Sequence, residues 1–290
     1  MSGSLEIVHE DHEYACPAGT ALLARVYRPH TLNAAPLPAL LDVHGGAWTY
    51  FDRQADEYFD RALAASGMVV VALDFRQGPA GRFPTAVADV VAGIRWVKAN
   101  AVRLGVRPTD LGLIGGSSGG HLLMLAALRP QAPEFLTTPV ADAEGIDARV
   151  RYALPLWPIL DPAARYRYLL ERLANPRPAR DPMFQPERLR AAQDGFFGTQ
   201  ATMERASALR IIEDGEAECL PPIWLAHPEL DENVTLAMSE RFVAAYRRAG
   251  GLAELEVFSD VGHSFANFPG AVADHCIMRM RAFIARQLEA

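Results

Sequence analysis

Gly115-Gly116-Ser117-Ser118-Gly119 puts serine among glycines at the junction of two apolar runs, Leu111, Leu113 and Ile114 before it and residues 121–128 after it. This is the pattern of strand, sharp turn and helix with a hydroxyl at the apex. The glycines let strand and helix approach each other, and strained backbone at the turn projects the hydroxyl beyond the end of the sheet. The positive end of the following helix then faces any negative charge that forms there. A serine hydroxyl is a weak nucleophile, so it needs a base, and the base needs a third group to orient it. His263 lies in a short polar turn after the last predicted strand, and Asp231 follows a strand predicted at residues 222–226. His227, at the end of that strand, is the rival base. Glu229, Glu232 and Asp161 are rival acids, and an aspartate beside a helix start is also a common cap. Spacing alone does not separate Ser117 from Ser118, because Gly116-Ser117-Ser118-Gly119-Gly120 fits the same pattern. A second glycine turn, His44-Gly45-Gly46-Ala47-Trp48, follows the apolar run at 39–43. Its Gly46 and Ala47 N–H groups, with that of the residue after the nucleophile, suit an oxyanion.

These groups need elements to carry them. Residues 5–27 alternate polar and apolar and predict antiparallel edge strands. Residues 40–44 and 68–73 are too apolar to be half exposed, so they predict buried strands covered by helices on both faces. Residues 56–65 predict a crossover helix. Pro84 opens a longer helix, with Val87, Val90, Val91, Ile94 and Val97 at helical spacing and Gly105 and Pro108 beyond its end. Strands are predicted at 150–156, 222–226 and 252–258, and helices at 233–248 and 271–288. Alternation of this kind gives a parallel sheet with right-handed crossovers. Residues 161–215 break the rhythm with five prolines (162, 176, 178, 182 and 186) and no strand pattern. They read as a helical cap or lid over the strand ends. The expected organisation is a core domain of residues 1–160 and 216–290 with a cap at 161–215.

Composition narrows the function. The chain has 290 residues, 50% of them hydrophobic, which suits one large α/β domain. A net charge of -7 argues against general nucleic-acid binding. No basic N-terminus leads into an apolar stretch and no run of eighteen apolar residues occurs, so neither a signal peptide nor a membrane span is expected. Cys16, Cys219 and Cys276 are odd in number and far apart, which predicts free thiols in a reducing cytoplasm. No clustered Cys/His set appears, so no metal or organic cofactor is expected. Trp48, Trp157, Phe197 and Phe265 stand near the motifs and are candidates to wall a substrate pocket, with core packing the plain alternative. Arginines outnumber acids between 161 and 190, which suits either an anionic substrate or a solvated cap surface. His44 is expected to orient the glycine turn, and His121 and His275 to pack.

The motifs together resemble the α/β-hydrolase superfamily, and more narrowly its hormone-sensitive-lipase-like carboxylesterases, feruloyl and acetylxylan esterase-like proteins and kynurenine formamidases. The resemblance rests on His44 to Trp48, Phe83-Pro84-Thr85-Ala86 with Asp89 and Trp96, Gly115 to His121, His227 to Asp231 with Val234, and Gly262-His263-Ser264-Phe265. These stand in the family's order, serine then acid then histidine. Family members read Gly-x-Ser-Ala-Gly-Gly, which implies Ser117 as nucleophile and Ser118 as the third oxyanion donor. It implies His263 as base, Asp231 as acid, and hydrolysis of a small-molecule ester through an acyl-enzyme without a cofactor. Ala47 in place of a third glycine, followed by Trp48, departs from the esterase pattern toward the formamidases and some feruloyl-type esterases. An amidase acting on formamides and a hydrolase-fold binding protein without turnover are the alternatives, and a homodimer is open.

Overall fold

A computed structural model describes residues 6–30 and 35–289. Leu5, where the first edge strand was expected to begin, and the two ends of the expected core domain lie outside the described residues. In chain order the strands are β1 (Ile7–Ala15), β2 (Leu22–Pro29), β3 (Leu37–Val43), β4 (Val69–Leu73), β5 (Val106–Gly116), β6 (Tyr152–Leu156), β7 (Ile223–Pro228) and β8 (Ala253–Phe258). They form one sheet in the order β1-β2-β4-β3-β5-β6-β7-β8. β1 pairs with β2 and β2 with β4 antiparallel, and every pairing from β4 to β8 is parallel. The expected α/β architecture with antiparallel strands at one edge is therefore present.

The helices are α1 (Glu57–Ala64), α2 (Thr85–Ala99), α3 (Ala101–Leu104), α4 (Ser117–Leu128), α5 (Pro162–Ala174), α6 (Pro186–Phe197), α7 (Gln200–Arg205), α8 (Ala208–Glu213), α9 (Leu236–Arg248) and α10 (Ala271–Glu289). One face of the sheet packs against α1 and α10 through Phe59, Leu63, Met280 and Phe283. The other packs against α2, α4, α8 and α9 through Val87, Ile94, Leu122 and Phe242. Burial on both faces explains why β4 reads Val-Val-Val-Ala-Leu without alternation. Helices α5 to α8 lie between β6 and β7, in the segment that breaks the sequence rhythm. No described helix is long and apolar enough to cross a membrane.

Among the boundaries that differ from expectation, two have a direct physical reason. β5 begins at Val106, ahead of Pro108; its pairing with β3 is irregular between Val106 and Leu111, where a proline without an N–H is tolerated. α9 starts at Leu236 rather than at 233, because the Asp231 carboxylate accepts the N–H groups of Asn233 (2.7 Å) and Val234 (3.0 Å) and folds them into a turn.

Three carboxyls are buried around β3 and the start of α1: Asp42, Asp56 and Asp60. Asn267 donates to Asp56, while both Asp60 oxygens lack a partner. Burial pushes all three carboxyls up, Asp56 to about 7, and neighbouring carboxyls push Asp42 and Asp60 further. The folded chain thus holds protons that the unfolded chain releases near pH ~4, so stability falls as pH rises from there through about 7. The buried imidazoles of His121 and His227, pushed down to about 4, oppose this trend up to about pH 6.5, so we expect the melting temperature to drop between about pH 6.5 and about pH 8, and Asp60→Asn to flatten that slope. An unchanged slope in the variant, followed by calorimetry, would contradict this account.

Candidate active site

The turns that follow β3, β5, β7 and β8 meet at the carboxyl ends of these parallel strands, where open α/β sheets place their ligand sites. Ser117 is the first residue of α4, directly after β5, and has φ 55°. A non-glycine residue there is strained, and the strain stands the side chain clear of both strand and helix. Its Oγ lies 2.9 Å from His263 Nε2, and His263 Nδ1 lies 2.8 Å from Asp231 Oδ2. The Asp231 side chain is fully buried and that of His263 is 8% exposed. With the other Asp231 oxygen held by two backbone donors, the carboxylate is fixed toward the imidazole.

The rival residues are engaged elsewhere. Ser118 is fully buried, and its Oγ accepts the Trp48 N–H at 3.2 Å. Asp161 caps α5 by accepting the Ala164 N–H, and Glu229 accepts the Asp260 N–H. His227 is buried with Nδ1 on the Ser239 hydroxyl, and burial pushes its imidazole down to about 4. His44 Nδ1 sits 2.8 Å from the Gly45 carbonyl and its ring stacks on Phe75.

In the glycine turn, Gly46, Ala47 and Trp48 all have positive φ (101°, 51° and 61°). A side chain on Gly46 would run into the Tyr50 carbonyl, so only glycine fits there. Among the described residues no protein acceptor takes the N–H of Gly46, Ala47 or Ser118. The turn drives Trp48 inward. Its indole N–H donates to His121 Nδ1 at 3.1 Å, and the ring packs against Phe196 and Phe197 of α6. His121 in turn donates from Nε2 to the Ala206 carbonyl, which assigns its tautomer. Burial pushes this imidazole down to about 4, so it stays neutral.

Two cavities open beside Ser117. The smaller, about 110 Å³, is bounded by Ala47, Tyr50, Arg188, Asn233, His263 and Ser264. The other, about 200 Å³, is bounded by Gly45, Gly116, Phe51, Trp157, Asn267 and Phe268, with Asp56 at its end. Of the four aromatics expected to wall the pocket, Trp157 does so. Trp48 and Phe197 are core packing beneath the glycine turn, and Phe265 packs behind Trp157 and on Phe258. Adjacency to a motif does not tell which way a side chain turns, and here the positive φ at 47 and 48 decides it.

A family described as alpha/beta hydrolase fold matches residues 40–267. The chain belongs to that family. The probable carboxylic ester hydrolase LipM of Mycobacterium tuberculosis is 28% identical over 264 residues, covering 89% of this chain and 56% of that protein. Esterase LipC of the same organism is 30% identical over 256 residues, covering 87% and 59%. The chain thus spans little more than half the length of these curated relatives. Among solved structures, a thermophilic esterase of Thermogutta terrifontis with propionate bound matches at 25% identity with a TM-score of 0.73, covering 96% of this chain and 93% of that one.

On this α/β-hydrolase core, the inserted segment is tied to both loops that carry Asp231 and His263. Arg165 of α5, fully buried, donates to the Asn233 carbonyl and to Gln193 at 2.8 Å each. Burial lowers its guanidinium to about 10, which leaves it charged at neutral pH. Arg172 pairs with Glu232 at 2.6 Å, and Glu232 also accepts the N–H groups of Arg180 and Asp181. Burial raises the Glu232 carboxyl, but these three hydrogen bonds outweigh it and hold it low. The buried Asp181 carboxylate accepts the His263 backbone N–H at 2.8 Å and the Met183 N–H at 2.8 Å. Arg165, Arg172 and Asp181 escape sequence reading, because nothing local distinguishes them from the other charges of a solvated helical segment.

Proposed function

We propose that the chain is a serine hydrolase that cleaves carboxylic esters through an acyl-enzyme. The observation that carries this reading is the hydrogen-bonded line from the Ser117 hydroxyl through His263 to the buried Asp231 carboxylate. In the proposed cycle Ser117 Oγ attacks the ester carbonyl while His263 Nε2 takes its proton, and Asp231 stabilises the imidazolium. The unused N–H groups of Gly46, Ala47 and Ser118 receive the oxyanion, at little reorganisation cost because the turn is already set. His263 then protonates the departing alcohol, and water, activated by the same imidazole, releases the acid.

This assignment gives the two cavities different tasks. The departing oxygen must sit within reach of His263 Nε2, so the alcohol half belongs in the cavity bounded by His263 and Ser264. The acyl half then takes the cavity along Gly116, Trp157 and Phe268, where a small acyl or aromatic group meets mostly apolar wall. The propionate-bound relative supports a short acyl group, and the relatives named esterases support the ester reading. The tryptophan that pointed toward formamides is buried away from both cavities and gives no support to that substrate. Unpaired Cys16, Cys219 and Cys276 support a reducing, cytoplasmic setting.

The test is treatment with a fluorophosphonate, followed by peptide mapping and by rates on p-nitrophenyl acetate and N-formylkynurenine. We expect a single modification at Ser117 and faster turnover of the ester. Modification at Ser118 would move the nucleophile, a large preference for the formamide would replace the esterase reading, and an unmodified, inactive chain would reduce the protein to a binder.

A further inference from the structure

The cavity that receives the alcohol half, on the hydrolase reading above, has a wall of unusual chemistry for an acidic chain. It is lined by Arg188 and by no aspartate or glutamate. Arg188 lies in the first turn of α6, and its guanidinium carbon sits 4.2 Å from the centre of the Tyr50 ring. Stacking of this kind fixes the plane of the fork while its N–H edges stay free. Among the described residues Arg188 has no acidic partner, whereas Arg190 in the same helix pairs with Asp194 at 2.6 Å. Glu187, the one acid in that first turn, is exposed and is not part of the wall.

Asn233 supplies a second, independent observation. It is 2% exposed, it bounds the same cavity, and its side-chain oxygen is sealed without a partner. Its amide nitrogen also meets no protein acceptor among the described residues and is the end of the amide that is not sealed. The unsealed N–H of this amide, with no protein acceptor among the described residues, is free to donate to an acceptor on the substrate. Gln185, Arg188 and Leu189 bring the start of α6 to the cavity, adding the positive end of a helix of twelve residues. The formal charge on this wall is positive: it carries an arginine and the start of a helix, and no carboxylate.

We propose that the alcohol half of the substrate carries a carboxylate, held by Arg188 and the amide of Asn233 while His263 protonates the departing oxygen. A planar carboxylate matches the guanidinium fork, and neutral alcohols leave it unused.

The test compares 4-acetoxybenzoate with 4-acetoxybenzamide, which share an acyl group and differ in charge at the far end of the leaving group. Measuring both substrates on the parent chain and on Arg188→Gln cancels their intrinsic reactivities. The loss in kcat/KM on substitution should be about tenfold greater for the acid than for the amide, expressed mainly in KM. A measurement that needs no variant is inhibition by the products: 4-hydroxybenzoate should compete more strongly than 4-hydroxybenzamide, and added salt should erase the difference. Equal losses for both substrates, or equal inhibition by both products, would overturn the proposal while leaving ester hydrolysis intact. A parent chain that turns over neither ester and resists the fluorophosphonate would instead overturn the hydrolase reading on which it rests.

Discussion

Replacing Ser117 by alanine should lower turnover of p-nitrophenyl acetate by about 10⁶ and leave the fold in place. The hydroxyl makes one hydrogen bond to a side chain, to His263, and the strained turn that holds it is already compatible with a smaller group. The strained turn of the elbow therefore survives while the attacking atom is gone. On the proposed mechanism serine and histidine act as one unit, so adding His263→Ala to the first substitution should cost little more. Steady-state rates on the single and double variants, with circular dichroism to verify folding, decide the matter. Near-normal turnover in Ser117→Ala would remove this residue from the chemistry, and full additivity of the two losses would mean that they do not act together.

Gly119→Ala should damage the fold more than any other single methyl described here. Gly119 lies in the first turn of α4, where that helix crosses the end of β3. A Cβ at this position would overlap the Val43 carbonyl oxygen, and the His44 carbonyl lies close behind. Both are backbone atoms at the root of the glycine turn, so neither can rotate aside. The helix has to move off the strand, at a cost of about 4 kcal/mol or more. For a chain of this size that corresponds to a fall in melting temperature of about 10 °C. Gly195→Ala is the control, because nothing lies within 4 Å of its added carbon. Alanine there, within α6, should be neutral or should stabilise by up to about 1 kcal/mol. Similar melting temperatures for the two variants would show that α4 and β3 are not locked together as described.

The candidate site residues were legible because each sits within a few residues of a strand end, and strand ends are marked by apolar runs that stop at glycine, proline or polar residues. Ser117 follows β5, the glycine turn follows β3, and Asp231 and His263 follow β7 and β8. Choosing Ser117 over Ser118 needed more than spacing. In the structure one serine faces His263, and the other accepts a backbone N–H from the glycine turn. What stayed hidden was everything that depends on contact across long separations. Asp181 reaches a backbone N–H 82 positions further on, and Arg172 finds Glu232 60 positions away. A local pattern of arginines and prolines carries no record of such partners. The same holds for Arg188 and Asn233, which share a cavity wall but no motif.

Because Arg165, Arg172 and Asp181 belong to the segment between β6 and β7 yet hold the loops of Asp231 and His263, substrate range and the alignment of the proposed triad are not separable modules in this chain. Grafting a relative's version of this segment onto the sheet, a common route to new selectivity, would carry away the fasteners of the very residues it was meant to serve. Selectivity here is better altered one wall residue at a time, at Tyr50, Leu189 or Phe268, where a change leaves those fasteners untouched.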